Sequence, residues 1–363
     1  MQQEYRFRVR DLEQRRFLVS AENPNCPLNK FIGNEQAVRR IRRAAFNAIG
    51  KNNRDCSDYS FAIFGPPSTG KTYLAKLFAE FLEIPFVVIE PQSVNKTQDI
   101  FDAVDFALKN TDIKLQPIAP NVYKFPPMII FIDEVHNLKN NIVQGLLKAT
   151  EPKDRLLVTE KGIEVKTDHV CWMIATTDRG DLFDAFDTRF QKLELQLYSK
   201  KQMGQIIRFN NPDWDTDICE LVAKYNSHVP REAIAFAKDM RIEKEMNGGD
   251  WADVAKRVAK DHDIDEYGMT YKRLNVLKAL GQSAISASQL CYVVHVKEEE
   301  LKKFIMPPLL SRTVDQPVPL VTMSSRGYSI TQMGLEELNK RGIKNRGLKA
   351  IPNQTRDIFS SVA

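Results

Sequence analysis

Gly65-Pro66-Pro67-Ser68-Thr69-Gly70-Lys71-Thr72 is the stretch whose reading decides the fold. It satisfies the pattern GxxxxGK[ST], which is informative only in the right setting. That setting is present. Ser60 to Phe64, just before it, is short and apolar, as a buried strand is. Thr72 to Phe81, just after it, has helical periodicity, with Leu74, Leu77, Phe78 and Phe81 on one face. Glycines let a backbone wrap phosphates, so that amide N–H groups and the helix N-terminus face the anion. Gly65, Pro66, Pro67, Ser68, Thr69, Gly70, Lys71 and Thr72 are therefore expected to bind ATP. Lys71 would bridge the β- and γ-phosphates, and the Thr72 hydroxyl would take a Mg²⁺ position.

A second signal lies downstream. Met128-Ile129-Ile130-Phe131-Ile132 is an apolar strand that delivers Asp133 and Glu134 at its C-terminal end. Open α/β sheets bind their ligands at that end. Asp133 is the second candidate for Mg²⁺, and Glu134 the candidate to orient and polarise an attacking water. Phe86 to Ile89 and Val170 to Ala175 are further apolar, β-branched-rich runs. Strands alternating with helical text predict a doubly wound α/β domain. Arg155 to Lys166 reads as a β-hairpin turning near Lys161-Gly162.

Outward from this core the texture changes twice. The first 28 residues are arginine-rich (Arg6, Arg8, Arg10, Arg15, Arg16) and end in Asn23-Pro24-Asn25-Cys26-Pro27, where proline disfavours helix. They are either a solvated segment packed on the main domain or a DNA-binding arm. Asp217 to Tyr225, Arg231 to Met246 and Trp251 to Lys260 are helical, with a turn at Asn247-Gly248-Gly249. Pro317 to Thr331 reads strand–turn–strand with Arg326-Gly327 at the tip, and a frayed tail follows Pro352. The five scattered cysteines show no CxxC spacing, so neither a disulfide nor a metal cluster is expected. No apolar run approaches the ~20 residues of a membrane span, and no secretion signal opens the chain, so a cytoplasmic protein is expected. The net charge of +5 allows a polyanion partner without demanding one.

With Gly65–Thr72 and Ile132-Asp133-Glu134 in place, the chain resembles the AAA+ ATPases, the two stretches looking like their Walker A and Walker B motifs. That resemblance implies three further residues. Thr177 in Ala175-Thr176-Thr177 is similar to the polar sensor that ends the next strand. Arg189 in Asp187-Thr188-Arg189-Phe190 is similar to the arginine that reaches a neighbouring subunit's nucleotide. Arg231 in Val229-Pro230-Arg231-Glu232 is similar to the second sensor, in a helical lid. Phe31-Ile32-Gly33 matches the segment lining the adenine pocket, so Phe31 and Ile32 join the nucleotide-binding set.

Within that class the chain is most similar to the RuvB family, motors of Holliday-junction branch migration. Phe31-Ile32-Gly33-Asn34-Glu35-Gln36 and Ile174-Ala175-Thr176-Thr177-Asp178 carry the likeness in the ATPase part. His262 to Tyr271, Glu298 to Leu310 and Ser325 to Thr331 look like the family's winged-helix domain and its wing. The resemblance implies an α/β P-loop domain at 29–198, a helical lid at 199–262, a winged-helix DNA-binding domain at 263–350 and a flexible tail at 351–363. It implies ATP and Mg²⁺ as cofactors, a ring, expected to be a hexamer, and duplex or branched DNA gripped through its backbone by Arg326 and Arg312. The hairpin at 155–167 occupies the place where the family docks its junction-binding partner; its apolar residues serve either such an interface or the domain itself. The chain departs from the family in a less basic wing, with Met323 and Tyr328 flanking the tip, and in Asp187, where the family carries an arginine. A clamp- or helicase-loader-like ATPase, which remodels a protein ring on DNA, is the rival expectation.

Overall fold

A computed structural model of the 363-residue chain describes residues 9, 11–109, 111–151, 153–177, 186, 188–226, 228–280, 284–312, 316 and 318–343. Arg6, Arg8, Arg10, Asp178, Asp187 and the tail after residue 343 lie outside the described residues. The chain divides into two compact units, residues up to 65 with 70–195, and residues 66–69 with 196–363.

In the first unit the helices are α1 (Leu12–Leu18), α2 (Glu35–Ala48), α3 (Lys71–Leu82), α4 (Thr97–Lys109) and α5 (Asn140–Ala149). Its strands are β1 (Phe61–Phe64), β2 (Phe86–Ile89), β3 (Gln116–Ala119), β4 (Val122–Lys124), β5 (Met128–Ile132), β6 (Leu156–Val158), β7 (Glu164–Lys166), β8 (Val170–Thr176) and β9 (Gln191–Glu194). A parallel five-stranded sheet runs in the order β2-β5-β8-β1-β9. Side chains alternate across it, as a period of two requires. Phe61, Ile63, Ile129, Phe131, Cys171 and Met173 join α2 and α3 in one buried cluster. Ala62, Phe64, Met128, Ile130, Trp172 and Ile174 join α4 and α5 in another. Both faces are covered, which is why these strands read as continuous apolar runs. Phe64 stands opposite Thr176, and Ile132 opposite Ile174. The loops after β1, β5 and β8 therefore leave the sheet along one edge.

The hairpin expected at 155–167 is β6 and β7, and it is half of a second sheet of order β3-β4-β7-β6. Leu157 and Val165 are fully buried in the second cluster, Leu156 and Ile163 half-buried, and Val158 exposed. Of the two uses open to these residues, the inward-facing pair serves the domain's own core. The described part of the lead-in also packs inward. Asp11 caps α1, the Arg15 guanidinium lies 5.0 Å from the Phe46 ring centroid, and Arg42 donates to the Val19 carbonyl and to Asn29.

The second unit is helical, with one small hairpin. Its helices α6 (Lys200–Asn210), α7 (Thr216–Tyr225), α8 (Pro230–Asn247) and α9 (Trp251–Asp261) close around Met203, Ile207, Phe236, Met240 and Val254. Ser199 and Gln202 form a reciprocal cap at the start of α6. This bundle is the helical stretch expected after the α/β domain. Then follow α10 (Tyr271–Leu280), α11 (Ala287–Val294), α12 (Glu298–Glu300), a π-helical turn at Leu301–Ile305, α13 (Met306–Leu310), the antiparallel pair β10 (Val321–Ser324) and β11 (Gly327–Ile330), and α14 (Gln332–Lys340). Leu274, Leu277, Leu290, Leu301, Leu309 and Tyr328 form the core of this winged helix. Tyr328 exchanges hydrogen bonds with Ile285 at 2.9 and 3.1 Å, which brings the chain before α11 against the wing. Gly327 has φ 116°, and a Cβ there would collide with the Ile285 carbonyl, so the wing needs glycine at this point. Among the described residues no helix is long and apolar enough to cross a membrane.

Candidate nucleotide site

The sheet's C-terminal edge brings together Lys71, Thr72, Asp133, Glu134 and Thr177. α3 begins at Lys71, and Gly70 before it adopts φ 91°, a left-handed conformation that favours glycine. No side chain caps this helix and its first turn holds no acid, so its leading N–H groups are open to an anion. The Lys71 side chain is buried, with Nζ donating to the Gly65 carbonyl at 3.0 Å. Burial pushes its pKa below the ordinary lysine value, against the opposing pull of Glu134 and Asp133. A buried ammonium at a helix N-terminus is suited to phosphate.

The Thr72 hydroxyl donates to Asp133 Oδ2 at 3.0 Å. A hydroxyl and a carboxylate are hard oxygen donors, the chemistry that suits Mg²⁺. Glu134 sits at φ 47° and ψ 51°, a left-handed conformation that costs a non-glycine residue about 1–3 kcal/mol. Its carboxylate faces the end of β8, where Oε2 accepts from Thr177 N at 3.2 Å and Thr177 Oγ1 at 3.0 Å. His136 Nδ1 reaches the same oxygen at 3.3 Å and Thr176 Oγ1 at 2.8 Å.

The remaining expected residues are spread over several elements. Phe31 is buried, its ring 6.1 Å from that of Tyr73 on α3, and Ile32 beside it is half-buried. Pro66, Pro67, Ser68 and Thr69 group with the second unit, where the buried Tyr198 hydroxyl donates to the Thr69 carbonyl at 2.8 Å and the Tyr198 carbonyl lies 3.3 Å from His228 Nδ1. Ser68 takes φ 62°. Arg231 is exposed at the second position of α8. Arg189, between the buried rings of Phe186 and Phe190, pairs with Glu151. Arg312 is exposed just past α13, and Arg326 is exposed in the turn between β10 and β11.

Three residues of this arrangement carried little sequence signal. His136 was detectable only as the histidine two residues beyond the Asp-Glu pair. Tyr198 and Glu151 belong to no motif, and only the fold brings them to Thr69 and Arg189.

Comparison with known proteins finds a family model and relatives that share parts of this chain. Residues 61–198 match the family model described as the ATPase family associated with various cellular activities (AAA). The Holliday junction branch migration complex subunit RuvB of Mycoplasmopsis synoviae is 25% identical over 327 residues, covering 85% of this chain and 95% of that protein. The protein of the same name from Mesomycoplasma hyopneumoniae is 24% identical over 334 residues, covering 85% and 94%. The structure of the Thermotoga maritima RuvB Holliday junction branch migration motor shares the fold, with a TM-score of 0.66 at 21% identity over 89% of this chain and 98% of that one. Residues 61–198 thus carry the likeness to the AAA ATPases, in a chain that is similar to RuvB along most of its length.

Proposed function

We propose that this chain is an ATP-driven DNA motor of the RuvB type, which translocates duplex DNA and drives branch migration as a ring, expected to be a hexamer. In this reading residues 29–198 are the motor, 199–262 the lid and 263–350 the DNA-contacting winged helix. The observation that carries it is a hydrolysis cluster (Lys71, Thr72, Asp133, Glu134, Thr177) in a chain that also folds a winged helix with an exposed arginine at its wing tip.

When bound, Mg²⁺-ATP supplies the phosphoanhydride bond whose cleavage releases the free energy. Lys71 and the first-turn N–H groups of α3 would bind phosphate oxygens, and Thr72 and Asp133 would hold the metal. Phe31 and Ile32 would line the adenine site. Glu134 would orient water and take its proton, with Thr177 fixing the carboxylate. Arg231 would sense the nucleotide in its own subunit, and Arg189 would serve the neighbour's site. An arginine supplied between subunits is worth about 10³–10⁵ in rate in related NTPases, so turnover would depend on assembly.

Contact with DNA would fall on the wing. Lys302 and Lys303 are tied to Glu298 and Glu299 at 2.7 and 2.8 Å, and Lys272 to Glu300 at 2.5 Å. That helix offers a groove little free positive charge, whereas Arg326 lies exposed, with Arg312 as a second contact. Backbone contact without base readout follows, with binding that weakens as salt rises. A junction-binding or replication protein that docks on the hairpin would meet Val158 rather than the buried Leu157 or Val165. Exposed Met323 leaves the wing less basic than a pure DNA contact, and that favours the loader as the second reading.

The test is displacement of a third strand from duplex DNA with ATP, in wild type and in Glu134→Gln. Displacement by wild type alone supports the motor. ATP turnover with no displacement moves the assignment to the loader.

A further inference from the structure

A single oxygen of Glu134 collects two hydrogen bonds and a close ring nitrogen. Oε2 accepts from Thr177 N and Thr177 Oγ1, and lies 3.3 Å from His136 Nδ1, while Oε1 takes none of these bonds. The histidine stands on a short turn, Val135–Asn137, that is fixed from both ends. Val135 and Leu138 are buried in the core, and Asn137 N and Leu138 N donate to Glu134 O and Val135 O at 2.9 and 3.0 Å. The imidazole itself is three-quarters buried, its Nδ1 2.8 Å from the hydroxyl of Thr176.

The tautomer follows from the partners. Were Nδ1 unprotonated, its lone pair would face a carboxylate oxygen with no hydrogen between them. With the proton on Nδ1, the N–H bonds the Thr176 hydroxyl and turns a positive edge toward Glu134 Oε2, 3.3 Å away. His136 thus ties the turn after β5 to the end of β8, the strand that delivers Thr177.

We propose that His136 is a positioning residue for hydrolysis. Together with Thr177 it pins one oxygen of Glu134, so that the other is presented to the attacking water. The proposal rests on Glu134 being the water-orienting group. In His136→Ala the carboxylate keeps only the two bonds from Thr177 and can turn about its terminal torsion. A misaimed catalytic group of this kind costs about 10- to 100-fold in rate. Nucleotide binding, which depends on Lys71, Thr72 and Asp133, should not follow it.

Two measurements test this on the full-length protein. The first is steady-state ATPase and equilibrium affinity for a fluorescent ATP analogue in wild type, His136→Ala and His136→Asn, with the melting temperature of each. Asn is the informative variant because its amide N–H sits near the place of Nδ1–H. A kcat that falls about tenfold or more in Ala, with affinity and melting temperature kept and kcat recovered in Asn, is the expected result. Unchanged kcat in Ala, loss of affinity in step with rate, or an Asn variant as slow as Ala would overturn it. The second reads no activity. The chain has five histidines, so the ring nitrogens of His136 can be assigned by NMR. Nδ1 should be the protonated nitrogen, and its signal should move in Glu134→Gln. An unprotonated Nδ1, or a signal blind to Glu134, would overturn the proposal. A wild type that hydrolyses no ATP would instead remove the ATPase reading, and the nitrogen assignment would still decide the contact.

Discussion

The Thr72 hydroxyl donates to Asp133 Oδ2 at 3.0 Å, joining the start of α3 to the end of β5 across 61 residues of chain. Both groups are oxygen donors, and both stand at the edge of the sheet where the loops after β1, β5 and β8 emerge. If the pair holds Mg²⁺, then Thr72→Ala and Asp133→Asn should each weaken binding of Mg²⁺-ATP by at least about tenfold. Binding of ATP in the presence of a chelator should change much less. Titration with a fluorescent nucleotide at fixed free Mg²⁺ measures both, and an equal loss with and without the metal would count against the assignment.

Arg189 is held by Glu151 within its own subunit and framed by buried Phe186 and Phe190. An arginine that serves a neighbour should be needed for turnover and dispensable for folding. Arg189→Ala is expected to assemble and bind ATP while losing most of its rate. Mixing it with Lys71→Ala should restore part of the activity, since mixed rings contain sites with an intact Lys71 facing an intact Arg189. Rates measured across a mixing series, with ring size followed by light scattering, would show no recovery if Arg189 acted only in cis.

At the wing, Arg326 is exposed while Lys302 and Lys303 are each engaged by a glutamate four residues earlier. Arg326→Ala should weaken duplex binding uniformly across sequences and reduce the slope of log K against log[salt] by about 1. Lys302→Ala should barely alter it. Fluorescence anisotropy over a range of salt concentrations separates the two. Equal slopes for wild type and Arg326→Ala would place the DNA contact elsewhere.

Asp55 Oδ2 and His169 Nδ1 form a hydrogen bond at 2.6 Å that anchors the chain before β1 to the chain before β8. Burial alone would raise the Asp55 pKa, but hydrogen bonds from His169 and Ser57 outweigh it and hold the carboxyl at about 2 against an ordinary 3.8. A carboxyl with a depressed folded-state pKa stabilises the fold above its unfolded pKa, and that contribution is lost as pH falls through the folded value. The difference is worth roughly 2 kcal/mol, present above about pH 4 and lost between about pH 4 and pH 2. Asp55→Asn should lower stability at neutral pH and flatten its fall over that interval. Urea unfolding at a series of pH values checks it, and parallel curves for the two proteins would contradict it.

Much of the fold was legible because its core strands are covered on both faces. β1, β2, β5 and β8 announce themselves as apolar runs, and α3 as a periodic stripe behind a glycine loop. What escaped were the strands that bury little. Every residue of β3 is exposed, and Pro117 within it masks any strand signal; β4 is only half-buried. β9 reads Gln191-Lys192-Leu193-Glu194 and buries only Leu193, so nothing local marks it as the partner of β1. α1 was hidden by prolines that lie just beyond its end. The site divides in the same way. Lys71, Thr72, Asp133 and Glu134 lie in contiguous motifs, whereas the contacts of His136 with Thr176, Arg189 with Glu151 and Tyr198 with Thr69 join residues 38 to 129 apart and exist only once the chain has folded.

As proposed, the ATPase of this chain works on DNA. The most direct test of this is the steady-state ATPase rate of the full-length protein alone, and then with duplex, single-stranded and four-way-junction DNA at low and moderate salt. A DNA motor should show a low basal rate, strong stimulation by duplex or junction DNA, and loss of that stimulation as salt rises. A rate indifferent to every DNA, from protein that still binds ATP, would contradict it.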